Sequence, residues 1–276
     1  MKPEWLNKKI SLRDCAELRA ILKQREINTV CEEANCPNIG ECFAKQQATF
    51  MILGAVCTRG CLFCGIQKGT PGPIDIKEPF RIADIIVELG LKHVVITSVT
   101  RDDLLDGGAG VFVETINAIR KINQNIKIET LIPDFQGEIK SLKVLAEGAP
   151  DIIAHNMETV PRLYEDIRKG ASYIRSLEVF KILKNIAPKI PLKSGLMLGL
   201  GESEDEVYAV FDDLVKAGCS YLSIGQYLAP SNTHVSVKEY ITPEAFDYYK
   251  EKALSAGFRS VKSAPYVRSS YMAAEY

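Results

Sequence analysis

From residue 48 onward the chain alternates between two hydrophobic periods. Short apolar, β-branched runs at residues 48–56, 93–99, 127–133, 151–157, 191–198 and 221–227 read as strands, because a strand covered on both faces loses its polar alternation. Between them, residues 80–90, 109–123, 137–147, 173–187, 202–218 and 243–257 carry apolar side chains three and four positions apart, which a helix gathers on one face. Several of these segments end on glycine, the residue that most easily closes a helix in the left-handed conformation. Six strand–helix units with right-handed crossovers predict an α/β fold on a parallel sheet, best satisfied by a complete or partial (β/α)6 barrel of TIM type. A doubly wound open sheet is the alternative. Residues 1–47 and 258–276 flank the repeat and read as N-terminal and C-terminal extensions of a barrel spanning 48–257.

In such a barrel, function collects where the strands end. The polar and special residues of this chain sit there: Cys57 after the first strand, Ser98, Arg101 and Asp102 after the second, and Asp134 after the third. Asn156 and Glu158 follow the fourth, Gly199 and Glu202 the fifth, and Gln226 the sixth.

Composition narrows the partners. At 276 residues and 46% hydrophobic content, the chain can bury a large core without disulfides. A net charge of −1 with dispersed Lys and Arg gives no footing for nucleic acid. Residues 1–10 are charged and lack the apolar run of a secretory signal, and no segment has the apolar length of a bilayer crossing. The expectation is a soluble cytoplasmic protein with no membrane partner.

Six of the eight cysteines fall between Cys31 and Cys64, a crowding that favours metal over disulfides in a chain without export signals. Cys15 and Cys219 stand alone and read as small apolar fillers. Cys57, Cys61 and Cys64 form a C-x3-C-x2-C loop just past the first strand. Three thiolates so close can hold three irons of a 4Fe-4S cube and leave the fourth iron open to a chelating ligand. A structural zinc site normally takes four Cys or His ligands. The three histidines, His93, His155 and His234, lie far from both cysteine groups in sequence and read as polar rim or interior residues, so two ordinary zinc sites are hard to complete. An arrangement shared between the triplets stays open.

With Phe63 before its last cysteine and a barrel behind it, this loop resembles that of the radical S-adenosylmethionine (SAM) superfamily, in which SAM chelates the open iron and is split to a 5′-deoxyadenosyl radical. The second triplet, Cys31, Cys36 and Cys42 in CEEANCPNIGEC, has C-x4-C-x5-C spacing and lies in the N-terminal extension. Near the other end stands Arg268-Ser269-Ser270-Tyr271. Together with SVTRDDLLDGGA, HNMETVPRLY and KSGLMLGLGE, these motifs resemble the lipoyl synthase family through nearly the whole chain, with no departure at a motif position.

The resemblance implies two 4Fe-4S clusters and SAM as cofactors. Cys57, Cys61 and Cys64 would hold the SAM cluster; Cys31, Cys36 and Cys42 an auxiliary cluster, with Ser270 rather than Ser269 as its fourth ligand. An alkoxide is a harder ligand than a thiolate, so that corner should release most easily. SAM contacts are expected from Phe63, from Asn156 and Glu158 on the ribose side, and from Arg175 at the carboxylate. The implied reaction inserts sulfur at carbons 6 and 8 of an octanoyl chain, with the auxiliary cluster as sulfur donor. The implied partners are an octanoylated lipoyl carrier domain or a glycine-cleavage carrier protein, and an external electron donor. Two rival readings remain: a radical SAM enzyme whose second cluster only passes electrons, and a non-catalytic metal-stabilised module.

Overall fold

The computed structural model describes residues 2–7, 16–34, 36–44 and 48–276, leaving Cys15 outside the described residues. The chain divides into two compact units, one of residues 9–59 and 65–153, the other of residues 1–8, 60–64 and 154–276. Among the described residues no helix is long and apolar enough to cross a membrane.

The first unit opens with α1 (Ala16–Gln24), β1 (Asn28–Thr29), α2 (Val30–Glu33) and α3 (Ile39–Ala44). Strand β2 (Thr49–Ile52) follows, then the short pair β3 (Val56–Cys57) and β4 (Gln67–Lys68). The remaining elements are α4 (Glu78–Glu88), β5 (His93–Ser98), α5 (Ala109–Ile122), β6 (Lys127–Leu131), α6 (Ile139–Glu147) and β7 (Ile152–Ala154). The strand order is β1-β2-β5-β6-β7. Phe50 stands opposite Ile96, and Ile96 opposite Thr130, in parallel register, while β1 pairs with β2 antiparallel. Phe50, Ile52, Ile82, Ile86, Ile96, Phe112, Ile116, Ile128, Leu142 and Leu145 are fully buried, which is the strand-in, helix-stripe-in pattern of an α/β layer.

The first predicted strand stops four residues early. Leu53 and Gly54 adopt left-handed φ values of 67° and 83°, and the buried Glu78 carboxylate holds the bend by accepting from Leu53 N at 2.7 Å. A methyl group on Gly108 would come within 2.2 Å of the Leu53 side chain. Gly108 therefore makes room for the bend as well as turning the chain at φ 91°.

The second unit holds α7 (Tyr164–Ile167), α8 (Tyr173–Ile186), β8 (Leu192–Leu198), α9 (Glu204–Lys216), β9 (Tyr221–Gln226), α10 (Pro243–Ala256) and β10 (Ser260–Ser263). Helix α9 starts with a reciprocal Ser203–Glu206 capping box, and α10 with Thr242 as cap and Pro243 in its first turn, closing on Gly257 at φ 119°. Strands β8, β9 and β10 pair in parallel, Ser194 with Leu222 and Leu222 with Val261. Strand β10 lies in the segment expected to be an extension. It has one apolar residue in four and buries only alternate positions, so the hydrophobic pattern carried little strand signal.

Past β10 the chain returns across β8 and β9. The Tyr276 hydroxyl shares a hydrogen bond with Ser223 at 2.6 Å, and its ring covers the Nζ of the fully buried Lys193 at 4.0 Å. Gly225 permits this path, since a methyl group there would sit 2.0 Å from the Val267 carbonyl oxygen. Gly225→Ala should therefore lower the stability of the fold by about 1–3 kcal/mol through overpacking, read from the urea midpoint. It should also speed proteolysis within residues 264–276; wild-type values for both would contradict the close approach.

Candidate functional site

In the first unit, Cys31, Cys36 and Cys42 are neighbours. Thr29 caps α2, accepting from Glu32 N at 3.3 Å, and Cys31 lies buried one residue into that helix. A turn closed by Cys36 N donating to Cys31 O at 3.0 Å leads into α3, where Cys42 N bonds Asn38 O at 2.9 Å. Burial pushes the Cys31 thiol up to about 12, and the nearby Cys36 and then Cys42 sulfurs add to the rise against hydrogen bonding from Thr49. Three crowded thiols in a partly dry pocket resist ionising together unless a cationic centre offsets them. Soft thiolates suit iron, although among the described residues no group of three or more His, Cys, Asp or Glu side chains is already placed to hold a metal ion.

Cys57 ends β3 in the same unit. Its Sγ accepts from Arg59 N at 3.4 Å, and its carbonyl accepts from Gly69 N at 3.0 Å. Thr58 bonds the Thr100 carbonyl through both its amide and its hydroxyl, each at 3.0 Å. The buried Arg59 guanidinium forks onto Asp102 at 2.7 and 2.8 Å and reaches the fully buried Asp134 at 2.6 Å. Burial acts to lower the Arg59 pKa, but the bonds to Asp102 and Asp134 prevail and raise it, so the charge is secure. Two residues past Cys57, this cation ties the cysteine loop to the segments that follow β5 and β6. Ser98, at the end of β5, has a buried hydroxyl oxygen with no hydrogen-bond partner among the described residues.

In the second unit, Cys61 and Cys64 share a short turn, Cys64 N donating to Cys61 O at 3.3 Å. Leu62 between them donates to Ile167 O at 2.8 Å and accepts from Val235 N at 3.1 Å, while Phe63 is half-buried. His234 Nε2 lies 3.2 Å from the Cys64 carbonyl. A carbonyl only accepts, so Nε2 carries the proton and Nδ1 accepts from Ser231 Oγ at 2.8 Å.

Residues 155–158 run beside β8 in this unit. Glu158 N donates to Gly195 O at 3.0 Å, and Met197 N to Glu158 O at 2.8 Å. These bonds hold Glu158 at a left-handed φ of 67°, a strain that folds keep where surrounding contacts impose it. Desolvation raises the Glu158 pKa, against the Arg168 charge, a hydrogen bond from Asn156 and the Arg268 charge. The Asn156 amide gives Nδ2 to Glu158 Oε1 at 3.0 Å and takes the Ser269 hydroxyl on Oδ1 at 2.8 Å.

The family follows from comparison with known proteins. Residues 51–225 match the model of the Radical SAM superfamily. The chain is 57% identical to the lipoyl synthase of Geobacter sp. (strain M21) over all of this chain and 94% of that one. It is 54% identical to the lipoyl synthase of Alkaliphilus metalliredigens (strain QYMF) over 99% of this chain and 95% of that one. The chain belongs to the lipoyl synthase family. Among solved structures it is similar to Streptococcus suis SuiB bound to S-adenosylmethionine, with TM-score 0.60 and 12% identity over 82% of this chain and 53% of that one. It is also similar to methylornithine synthase (PylB), with TM-score 0.52 and 16% identity over 77% of this chain and 70% of that one. These likenesses show the fold, the mostly parallel α/β architecture of radical SAM enzymes.

Set beside this family assignment, the predicted residues divide into two kinds. The structure brings Cys31 together with Cys36 and Cys42, and Asn156 together with Glu158. Arg175 stands in the first turn of α8 and donates to Gly170 O at 2.6 Å, whereas the guanidiniums whose charge acts on Glu158 are Arg168 and Arg268. Gln226 supports the fold, donating to the Leu198, Tyr227 and Glu239 carbonyls and accepting from Ile241 N at 2.8 Å. Glu202 folds back to accept from the Gly199 and Leu200 amides. Sequence reasoning passed over Arg59, Arg168 and the strand glycines Gly195 and Gly225. Glycine inside a strand is the signal that marked the last two.

Arg59→Met leaves the fully buried Asp134 without its cation, a change that costs about 3–5 kcal/mol. Its guanidinium chloride midpoint should fall accordingly, with Arg59→Lys recovering only part because an ammonium cannot fork. A wild-type midpoint in Arg59→Met would show that this ion pair does not hold the cysteine loop.

Proposed function

We propose that this chain inserts two sulfur atoms, at carbons 6 and 8, into a protein-bound octanoyl-lysine to form the lipoyl group. The observation that carries this reading is the second gathered thiol set, Cys31, Cys36 and Cys42, in a chain that already has a radical SAM loop. A cluster on Cys57, Cys61 and Cys64 needs no such companion for SAM cleavage alone. With both clusters and SAM bound, the loop cluster would supply a hydrogen-abstracting radical and the auxiliary cluster the sulfide, since the reacting carbons offer no acidic proton or carbonyl for acid-base catalysis.

The protein's own residues then position and shield. Cys57, Cys61 and Cys64 would hold three irons and leave one for the SAM amino and carboxylate groups. Asn156 and Glu158 would meet the ribose side of SAM, Arg175 its carboxylate, and Phe63 would contribute to holding the cofactor. Cys31, Cys36 and Cys42 would hold the auxiliary cluster, with Ser270 as fourth ligand. The substrate partner is an octanoylated lipoyl carrier domain or a glycine-cleavage carrier protein, and reduction comes from an external donor. We place the enzyme in the cytoplasm, where iron-bound thiolates are not lost to disulfides.

The decisive experiment is anaerobic incubation of the reconstituted protein with SAM, a reductant and an octanoylated carrier peptide, followed by the mass of the peptide. Gain of two sulfurs, with matching loss of sulfide from the protein, is expected. Gain of none would overturn the proposed sulfur insertion, whereas thiolation with the protein's sulfide intact would overturn the sacrificial-cluster reading in favour of electron transfer. Cys31→Ala should still form 5′-deoxyadenosine but yield no thiolated peptide. Cys61→Ala should abolish 5′-deoxyadenosine formation itself, and undiminished SAM cleavage would remove Cys61 from the radical-generating cluster.

A further inference from the structure

The peptide unit between Met157 and Glu158 is pinned at both ends. Its N–H donates to Gly195 O at 3.0 Å, and its carbonyl, Met157 O, accepts from the Tyr164 hydroxyl at 2.7 Å and from Thr159 N at 2.8 Å. The tilt of this unit sets φ at Glu158, which lies at 67°, a value that residues other than glycine hold only where their surroundings impose it. Chemistry dictates the direction of each bond. A guanidinium only donates and a carbonyl only accepts, so the Tyr164 hydroxyl accepts from Arg168 Nη1 at 2.7 Å and donates its own proton to Met157 O. Burial raises the Tyr164 pKa against the Arg168 charge, which keeps that proton in place. Arg168 is fixed in turn by Ser176 Oγ at 3.2 Å, and Ser176 by His155 Nε2 at 3.0 Å. All four side chains are buried. On the other side of the unit, a methyl group on Gly195 would stand 2.7 Å from Asn156 Oδ1 and 2.5 Å from Ser269 Oγ. This glycine therefore leaves room for the amide that donates to Glu158 Oε1 at 3.0 Å.

We propose that Tyr164 is a positioning residue for Glu158: its hydroxyl holds the 157–158 peptide unit in the tilt that keeps the Glu158 carboxylate beside the Asn156 amide, as an acceptor for the ribose hydroxyls of SAM. The inference deepens the reading of Glu158 as a ribose contact and rests on it. Left-handed backbone is strained for glutamate, so a peptide unit released from Tyr164 would relax toward negative φ. The Glu158 side chain would then leave the backbone in a different direction and lose its register with Asn156. Arg168 serves the same end, since it claims the acceptor side of the Tyr164 hydroxyl and leaves the proton only Met157 O to meet. Phenylalanine at position 164 would fill the same space without this control, which makes the hydroxyl, not the ring, the positioning group.

The test uses the full reconstituted chain without reductant, so that SAM binds and is not cleaved. Equilibrium dialysis reads the affinity for SAM beside that for two analogues, one lacking the ribose 2′-hydroxyl and one the 3′-hydroxyl. In the wild-type chain the loss of at least one hydroxyl should weaken binding by roughly tenfold or more, the worth of a hydrogen bond to a charged group. In Tyr164→Phe, SAM itself should bind roughly three- to tenfold more weakly, and the discrimination between SAM and that analogue should shrink to about twofold. A merely structural loss would weaken all three ligands alike and leave the discrimination intact. Hydrogen exchange in the SAM-free holoenzyme gives a second reading: the Glu158 and Thr159 amides should exchange faster in Tyr164→Phe, with those of β9 unchanged. Undiminished discrimination, or wild-type exchange at Glu158 and Thr159, would overturn the inference. Glu158→Ala separates it from the reading beneath. Wild-type discrimination in Glu158→Ala removes Glu158 from the ribose and the inference with it, whereas lost discrimination there with a silent Tyr164→Phe sinks only the role of Tyr164.

Discussion

Parallel strand pairing is the constraint on which the rest of this structure depends. In a parallel ladder every strand runs the same way, so within each unit the residues that follow the strands emerge along one edge. The registers of Phe50 with Ile96 and Ile96 with Thr130 in the first unit, and of Ser194 with Leu222 in the second, set how far each loop stands out. Asp102 and Asp134 follow neighbouring strands of one unit and so can share a single guanidinium. The segment 155–158 borrows the ladder of β8, through Gly195 O and Met197 N, and this places a half-buried carboxylate and an amide side by side. Ordinary backbone hydrogen bonding thus carries the precision of the site.

Charge is then managed in two different ways. Around Cys57 the protein supplies its own cation: Arg59 is buried, forked between two carboxylates and held charged by them. Around Cys31 burial, and after it the nearby Cys36 and Cys42 sulfurs, raise the thiol to about 12.

Much of this was legible in the chain before folding. All six strands expected from apolar, β-branched runs are present, since a buried strand must be apolar and the pattern cannot hide. The second triplet was assigned as a ligand set through the family resemblance, and in the structure the Cys36 and Cys42 sulfurs lie close enough to Cys31 to act on its thiol. Strand β10 was missed because four residues with one apolar member carry no period. The early end of β2 was missed because a leucine at positive φ gives no warning; it is imposed by Glu78, 25 positions away.

What the sequence determined by itself was therefore the kind of chemistry and the alternation of layers, because ligand types, their spacing and hydrophobic period are local properties of the chain. Tertiary structure alone decided which polar groups meet. His234 caps the carbonyl of Cys64 from 170 positions away, Ser269 reaches Asn156 across 113, and Arg168 rather than Arg175 bears on Glu158. Such pairings depend on where the backbone passes after the core has packed, and two glycines that look like weak points in their strands are what let it pass there.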